Sequence, residues 1–151
     1  MRLGEIMTKP ARTVSTADPA DDAFQLMRLH RVHHLVVVEG KQVVGIVSDR
    51  DLGGPRGASV RRGHTIGDLM TRDVVTAPPD LTERQAANLL RGRSIGCLPI
   101  VENGKPVGIV TITDMLEILG EVVRRASTDA RWKPVRRMGK WPRMADRSAR
   151  H

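Results

Sequence analysis

One cysteine in 151 residues, Cys97, excludes an internal disulfide, so the chain makes no demand for an oxidising compartment. No apolar run approaches the roughly 20 residues that a membrane span needs. The chain opens Met1-Arg2-Leu3-Gly4-Glu5, without the charged, apolar and small-residue order of a secretory leader. The expectation is a soluble cytoplasmic protein. There is no P-loop, no Ser-His-Asp set and no spaced carboxylate pair, which argues against an enzyme. Only His30 and His34 keep helical spacing, His33 falls between them, and no Cys or acidic partner is near. Metal binding is therefore not expected. Cys97 opens an apolar run and reads as a small core residue rather than a nucleophile.

Excess charge is also missing from most of the chain. Residues 1–123 hold 15 Lys and Arg against 15 Asp and Glu and are neutral. Residues 124–151 hold ten Lys and Arg against two Asp, so the whole net charge of +8 sits there. Both tryptophans, Trp132 and Trp141, lie in the same stretch among cations. Three readings of this tail stay open: a solvated extension, a nucleic-acid or anionic-surface contact through Arg and Trp, and an anchor on a dimer partner.

What the chain has in plenty is itself. Gly45-Ile46-Val47-Ser48-Asp49-Arg50-Asp51 returns as Gly108-Ile109-Val110-Thr111-Ile112-Thr113-Asp114, 63 positions on. With the same shift Met7-Thr8 meets Met70-Thr71, Leu26-Met27 meets Leu89-Leu90, and Leu35–Glu39 meets Leu98–Glu102. The register slips only where Val14-Ser15 pairs better with Val75-Thr76. The repeat means two similar supersecondary units. A unit of about 60 residues buries only about 60% of its unfolded surface, so two that share a core complete each other.

Each unit reads as β-α-β-β-α, an α/β (α+β) class. Thr13-Val14-Ser15 is extended, and a helix opens at Asp18-Pro19 with Asp as cap. Ala20, Ala23, Phe24 and Met27 fall on one face. Leu35–Val38 is a short buried strand that turns at Glu39-Gly40-Lys41 into Gln42–Val47. In the second unit the turn is Asn103-Gly104, a strong hairpin signal. Ser48 starts a helix that Gly53-Gly54-Pro55 cuts short, while the one after Thr111 runs on with Ile112, Met115, Leu116 and Leu119 on one face. Residues 53–65, rich in Gly and containing Arg61-Arg62, read as a flexible, solvated connector. The organisation is thus a first repeat over 1–60 with its connector to about 65, a second over 66–123, and the tail over 124–151.

The hydroxyl and acid of Ser48/Asp51 and Thr111/Asp114 carry two meanings. Ser/Thr-x-x-Asp is a capping pattern that stabilises a helix start by about 1 kcal/mol with no ligand. A helix opening also offers unpaired N–H groups and a positive dipole end to an anion.

The Met-Thr start, the strand pair and the Gly-φ-x-[Ser/Thr]-x-x-Asp ending resemble the cystathionine-β-synthase (CBS) domain, as a tandem pair over about residues 3–119. The resemblance implies a flattened module, often a homodimer, that serves as a regulatory sensor for an effector protein. It implies an adenine nucleotide (AMP, ADP or ATP), S-adenosylmethionine or NAD as ligand, and no obligatory cofactor. In such pairs the motif Asp holds ribose hydroxyls and the Ser or Thr sits by ribose and phosphate. The family's pockets lie between units. Carried onto this chain, that places Thr111 and Asp114 opposite Thr8, Val14, Val32 and His33, and Ser48 and Asp51 opposite Thr71, Val75, Ile95 and Gly96. The segment from Val32 to Val38 is similar to one in the regulatory gamma subunit of AMP-activated kinase, where a His-Arg pair approaches phosphate. Here the second member is His34, a weaker and pH-dependent cation. Gly96-Cys97 stand at the matching positions of the second unit, so the Thr111/Asp114 pocket is expected to be the better phosphate site. The rival expectations are a dimeric scaffold acting on nucleic acid or an anionic surface through the tail, and a structural dimer with vestigial pockets.

Overall fold

The computed structural model describes the backbone of residues 1–127 and side chains as far as Glu121. Residues 128–151, with both tryptophans, lie outside the described residues, and so do the three readings of the tail. Met1–Ile118 form one compact unit, and Leu119 begins a second.

The doubling in the sequence is a doubling in space. Helix α1 (Leu3–Ile6), strand β1 (Thr13–Ser15), helix α2 (Ala20–His30) and the hairpin β2 (His34–Glu39) and β3 (Gln42–Ser48) come first. Helix α3 (Ala58–Arg61) bridges to α4 (Ile66–Leu69), α5 (Glu83–Arg93), the hairpin β4 (Cys97–Glu102) and β5 (Lys105–Thr111), and α6 (Ile112–Ser127). Apart from β1 and α3, elements of the first half recur at the 63-residue shift found in the sequence. Details repeat as well. Arg31 and Ser94 end their helices in the left-handed region at φ 54° and 52°, and both hairpins shift register at one place, Val37/Val38 and Ile100/Val101.

Local chemistry explains most of these elements. Ala20, Ala23, Phe24 and Met27 are all buried, which gives α2 its one apolar face. Thr82 and Gln85 exchange backbone and side-chain hydrogen bonds at the start of α5, a reciprocal cap. Asn103 and Gly104 both take positive φ, as a two-residue turn requires. Leu35, Val36, Val37, Leu98 and Ile100 are fully buried, each contributing about 1.5–3 kcal/mol.

Four expectations are corrected. The helix expected at Asp18-Pro19 begins one position later, with Pro19 as its cap residue. Asp18 instead accepts the Ser15 N–H at 2.8 Å and tightens the preceding turn. No helix follows Ser48, because residues 49–53 close into turns that end at Gly53, φ +82°. Val75-Thr76 is not a strand: only Ala77 bridges, to Ile100, so the sheets have three strands and two.

The fourth correction concerns the connector, which is anchored. Arg61 in α3 is 6% exposed. Its guanidinium donates to the carbonyls of Leu52 at 2.8 Å and Gly54 at 2.7 Å and to Asp21 Oδ1 at 3.1 Å. It also lies 3.8 Å from the centre of the Phe24 ring. Arg61 is therefore a staple rather than a solvated loop residue.

The two halves exchange their first segments. Thr8 pairs with Ile109 of β5, and Thr71 with Ile46 of β3. Leu3 packs with Leu90, Leu98 and Val110, whereas Ile66 packs with Phe24, Leu35 and Val47. Each core thus contains side chains from both sequence repeats.

Candidate functional site

The crossing explains the glycine that opens each copy of the repeated motif. A Cβ on Gly45 would sit 2.8 Å from Met70 Sδ and 2.9 Å from the Thr71 carbonyl, and one on Gly108 would sit 2.5 Å from Met7 Sδ and 3.0 Å from the Thr8 carbonyl. Only a bare backbone lets the Met-Thr segment of the other repeat lie across the strand.

Beyond each glycine the strand ends in the same closed turn. Asp51 Oδ2 accepts the Ser48 N–H at 2.9 Å, and Ser48 Oγ accepts the Asp51 N–H at 3.1 Å. Asp114 Oδ2 accepts the Thr111 N–H at 2.7 Å, and Thr111 Oγ1 accepts the Asp114 N–H at 3.2 Å. In both copies the carboxylate keeps its second oxygen for another donor, and the hydroxyl keeps its own proton to give. A further bond repeats: the Asp49 N–H donates to the His33 carbonyl at 3.0 Å, and that of Ile112 to the Gly96 carbonyl at 3.1 Å.

Each turn borders a cavity. Around Thr111 and Asp114 the cavity measures about 580 Å³ and is lined also by Thr8, Val32, His33 and His34. Around Ser48 and Asp51 it measures about 240 Å³ and is lined also by Thr71, Val75, Ile95 and Gly96. Each therefore joins the motif of one repeat to the Met-Thr segment of the other. His34, Ser48 and Gly96 line both and form the wall between them.

Val14 is the residue of the expected set that the structure places elsewhere. It pairs with Val37 in β1 and is 7% exposed within the first core. Its counterpart Val75 has left the sheet and lines the smaller cavity. The repeat pattern hides this difference because it depends on whether the segment pairs, not on its composition.

Charge differs between the cavities. Arg31 and Arg50 line the larger one, and neither is in an ion pair among the described residues. Asp49 there is engaged with His33, Oδ2 to Nδ1 at 2.9 Å. The first turn of α6 also opens on this cavity through Ile112, Thr113 and Asp114. Sequence reasoning missed both arginines. Arg50 stood in view inside the repeated motif, and Arg31 is held by the left-handed end of α2, which no pattern announces. Burial pushes the pKa of His34 below the usual 6.5, and His33 pushes the same way, against Asp49 and Asp51. Burial raises the Cys97 thiol to about 12, with Asp51 adding to the effect, so it stays protonated.

Among the described residues no three His, Cys, Asp or Glu side chains gather to hold a metal ion, and no helix is long and apolar enough to cross a membrane.

Comparison with known proteins now decides the family. The CBS domain model matches twice, over residues 3–52 and 66–121. The chain belongs to the CBS-domain family. Its CBS pair is similar to the CBS domain-containing protein YhcV of Bacillus subtilis, 32% identical over 112 residues, 74% of this chain and 80% of that protein. It is also 36% identical over 115 residues to the inosine-5′-monophosphate dehydrogenase of Korarchaeum cryptofilum, 76% of this chain but only 23% of the enzyme. The chain thus spans less than a quarter of that relative. Among solved structures, the CBS domain pair of protein MJ0100 in complex with 5′-methylthioadenosine and S-adenosyl-L-methionine superposes with a TM-score of 0.73 at 27% identity, covering 81% of this chain and 98% of the other. CBS pairs of this kind are regulatory, ligand-binding modules.

Proposed function

We propose that this CBS pair is a non-catalytic sensor that binds an adenine nucleotide or a related adenosyl compound between its repeats. The observation that carries the reading is the repeated construction of the cavities, each from a closed Ser/Thr-x-x-Asp turn and the crossing Met-Thr segment of the other repeat. The free oxygen of Asp51 or Asp114 accepts from ribose hydroxyls, and Ser48 or Thr111 donates to ribose or phosphate. In the larger cavity Arg31, Arg50 and the opening of α6 receive the phosphate, with Thr8, Val32 and His33 enclosing the base and sugar. Thr71, Val75, Ile95 and Gly96 enclose the ligand in the smaller one.

A non-catalytic role is supported by the groups on offer. Burial pushes the Cys97 thiol up to about 12, and each motif carboxylate has one oxygen held in its own turn. The pair acts in the cytoplasm as a homodimer that passes the ligand's effect to a partner protein, and the outward-facing Leu29 and Leu116, 75% and 61% exposed, suit such contacts.

A thermal-shift panel of AMP, ADP, ATP, S-adenosylmethionine and NAD tests the reading. A ligand at about 100 times its dissociation constant stabilises the fold by about 2.7 kcal/mol, a rise of several degrees for this size. The AMP shift should vanish in Asp114→Ala and shrink less in Asp51→Ala. A flat response of the intact protein to all five compounds refutes the assignment. The rival reading, a nucleic-acid scaffold, is favoured by the +8 confined to residues 124–151 and predicts oligonucleotide binding that falls steeply with salt and disappears with that segment.

A further inference from the structure

The two cavities differ in more than size. The smaller measures about 240 Å³ and the larger about 580 Å³. Their charges differ too: the larger sets Arg31 and Arg50 beside Asp49 and Asp114, whereas the smaller holds acids without a cation. Asp51 and Asp73 are the acidic side chains lining the smaller cavity, with no Lys or Arg among its lining residues. Burial works against charge on its other titratable neighbours, lowering the pKa of His34 and pushing the Cys97 thiol up to about 12. Arg72, beside Asp73, directs its guanidinium to the Gly67 carbonyl at 3.1 Å. No helix opens here either, since Ser48 leads into turns, whereas Thr111 leads into the 16 residues of α6.

From this we infer that the two sites select by charge: the Thr111/Asp114 cavity takes a phosphorylated adenosyl ligand, and the Ser48/Asp51 cavity takes an uncharged or cationic one, a nucleoside, a nucleoside thioether or a sulfonium. The inference rests on the proposed adenosyl-binding function and adds a division of labour to it. A phosphate in the smaller cavity would meet two carboxylates and no cation. A thioether or sulfonium there meets only the apolar walls and a favourable negative field, and its chain can leave past Thr71, Asp73 and Ser94, all exposed.

Isothermal titration of the intact chain with AMP, 5′-methylthioadenosine and S-adenosylmethionine tests it. Asp114→Ala should lose AMP while keeping the methylthioadenosine affinity within about twofold. Asp51→Ala should weaken methylthioadenosine by about tenfold or more, equivalent to about 1.4 kcal/mol, and affect AMP less. Asp73→Arg alters an exposed rim residue and serves even where Asp51→Ala disturbs the turn. It should create a second AMP site in the otherwise unchanged chain and weaken S-adenosylmethionine. AMP that persists in Asp114→Ala and is lost in Asp51→Ala overturns the charge rule while leaving adenosyl binding in place, as does an Asp73→Arg chain with unchanged AMP stoichiometry. Failure of every adenosyl compound to bind the unaltered protein removes the proposed function and this inference together.

Discussion

A Cβ built on Gly96 would lie 3.5 Å from Nε2 of His34, so an imidazole from one repeat and a bare backbone from the other close the partition between the two cavities. An alanine methyl at position 96 would rest in ordinary van der Waals contact with the ring.

The partition makes stability depend on pH in a definite direction. His34 titrates at about 6.5 in the unfolded chain and lower in the fold, chiefly because it is buried. Well above pH 6.5 both states are neutral and its contribution is constant. As pH falls below 6.5 the unfolded state takes the proton first, and stability declines until the folded ring is also protonated. Urea midpoints for the protein and for His34→Gln, compared between about pH 5 and pH 8, should diverge on the acid side, with the variant the less sensitive of the two. Parallel profiles would show that the ring takes its proton equally well in both states.

Two glycines should respond to alanine with opposite signs. Gly108→Ala pushes a methyl against Met7 and the Thr8 carbonyl, and overpacking of this sort costs about 1–3 kcal/mol. Gly92, near the end of α5, has nothing within 4 Å of its missing Cβ, and Gly92→Ala should stabilise by about 0.4–1 kcal/mol. Chemical denaturation of the two variants checks both, and equal behaviour would contradict the crossing of Met7-Thr8 over β5.

Arg61→Ala removes the donor to the carbonyls of Leu52 and Gly54 and the cation over Phe24. A loss of about 2–3 kcal/mol is expected, visible as a Tm lower by several degrees. Asp21→Ala should cost much less, because Asp21 is 55% exposed and exposed ion pairs contribute about 0–1 kcal/mol.

Cys97 should resist alkylation. The residue is 6% exposed and burial pushes its thiol up to about 12, so the reactive thiolate is scarce at neutral pH. Iodoacetamide labelling followed by mass should be slow in the native protein and rapid in urea. Fast native labelling would mean that the smaller cavity opens widely in solution.

The duplication was legible because a fixed 63-residue shift survives in the strands, the glycines and the hydroxyl–acid turns. Most elements follow from that shift and from the Asn103-Gly104 turn. What stayed hidden depends on contacts between distant segments. Nothing near Arg61 announces that Asp21, Phe24 and two carbonyls will gather around it, and Gly-rich flanks read as mobility. The exchange of Met7-Thr8 and Met70-Thr71 is equally silent, since a repeat pattern says which residues correspond and not which ones touch. Charge at the cavities was half visible: Arg50 lay in the motif, but the lowered pKa of His34 follows from burial that only the fold creates.

The exchanged segments also bear on how the chain comes off the ribosome. Thr8 must wait for Ile109, 109 − 8 = 101 residues later, before its peptide groups find their partners, and closing so long a loop is entropically slow. Leu3 likewise waits for Leu98 and Val110. Synthesis in order therefore leaves the first hairpin without Ile66 over its core, and an early fragment ending near residue 60 should be sticky rather than native. The second hairpin is the piece that lets Leu3 and Thr8 come to rest.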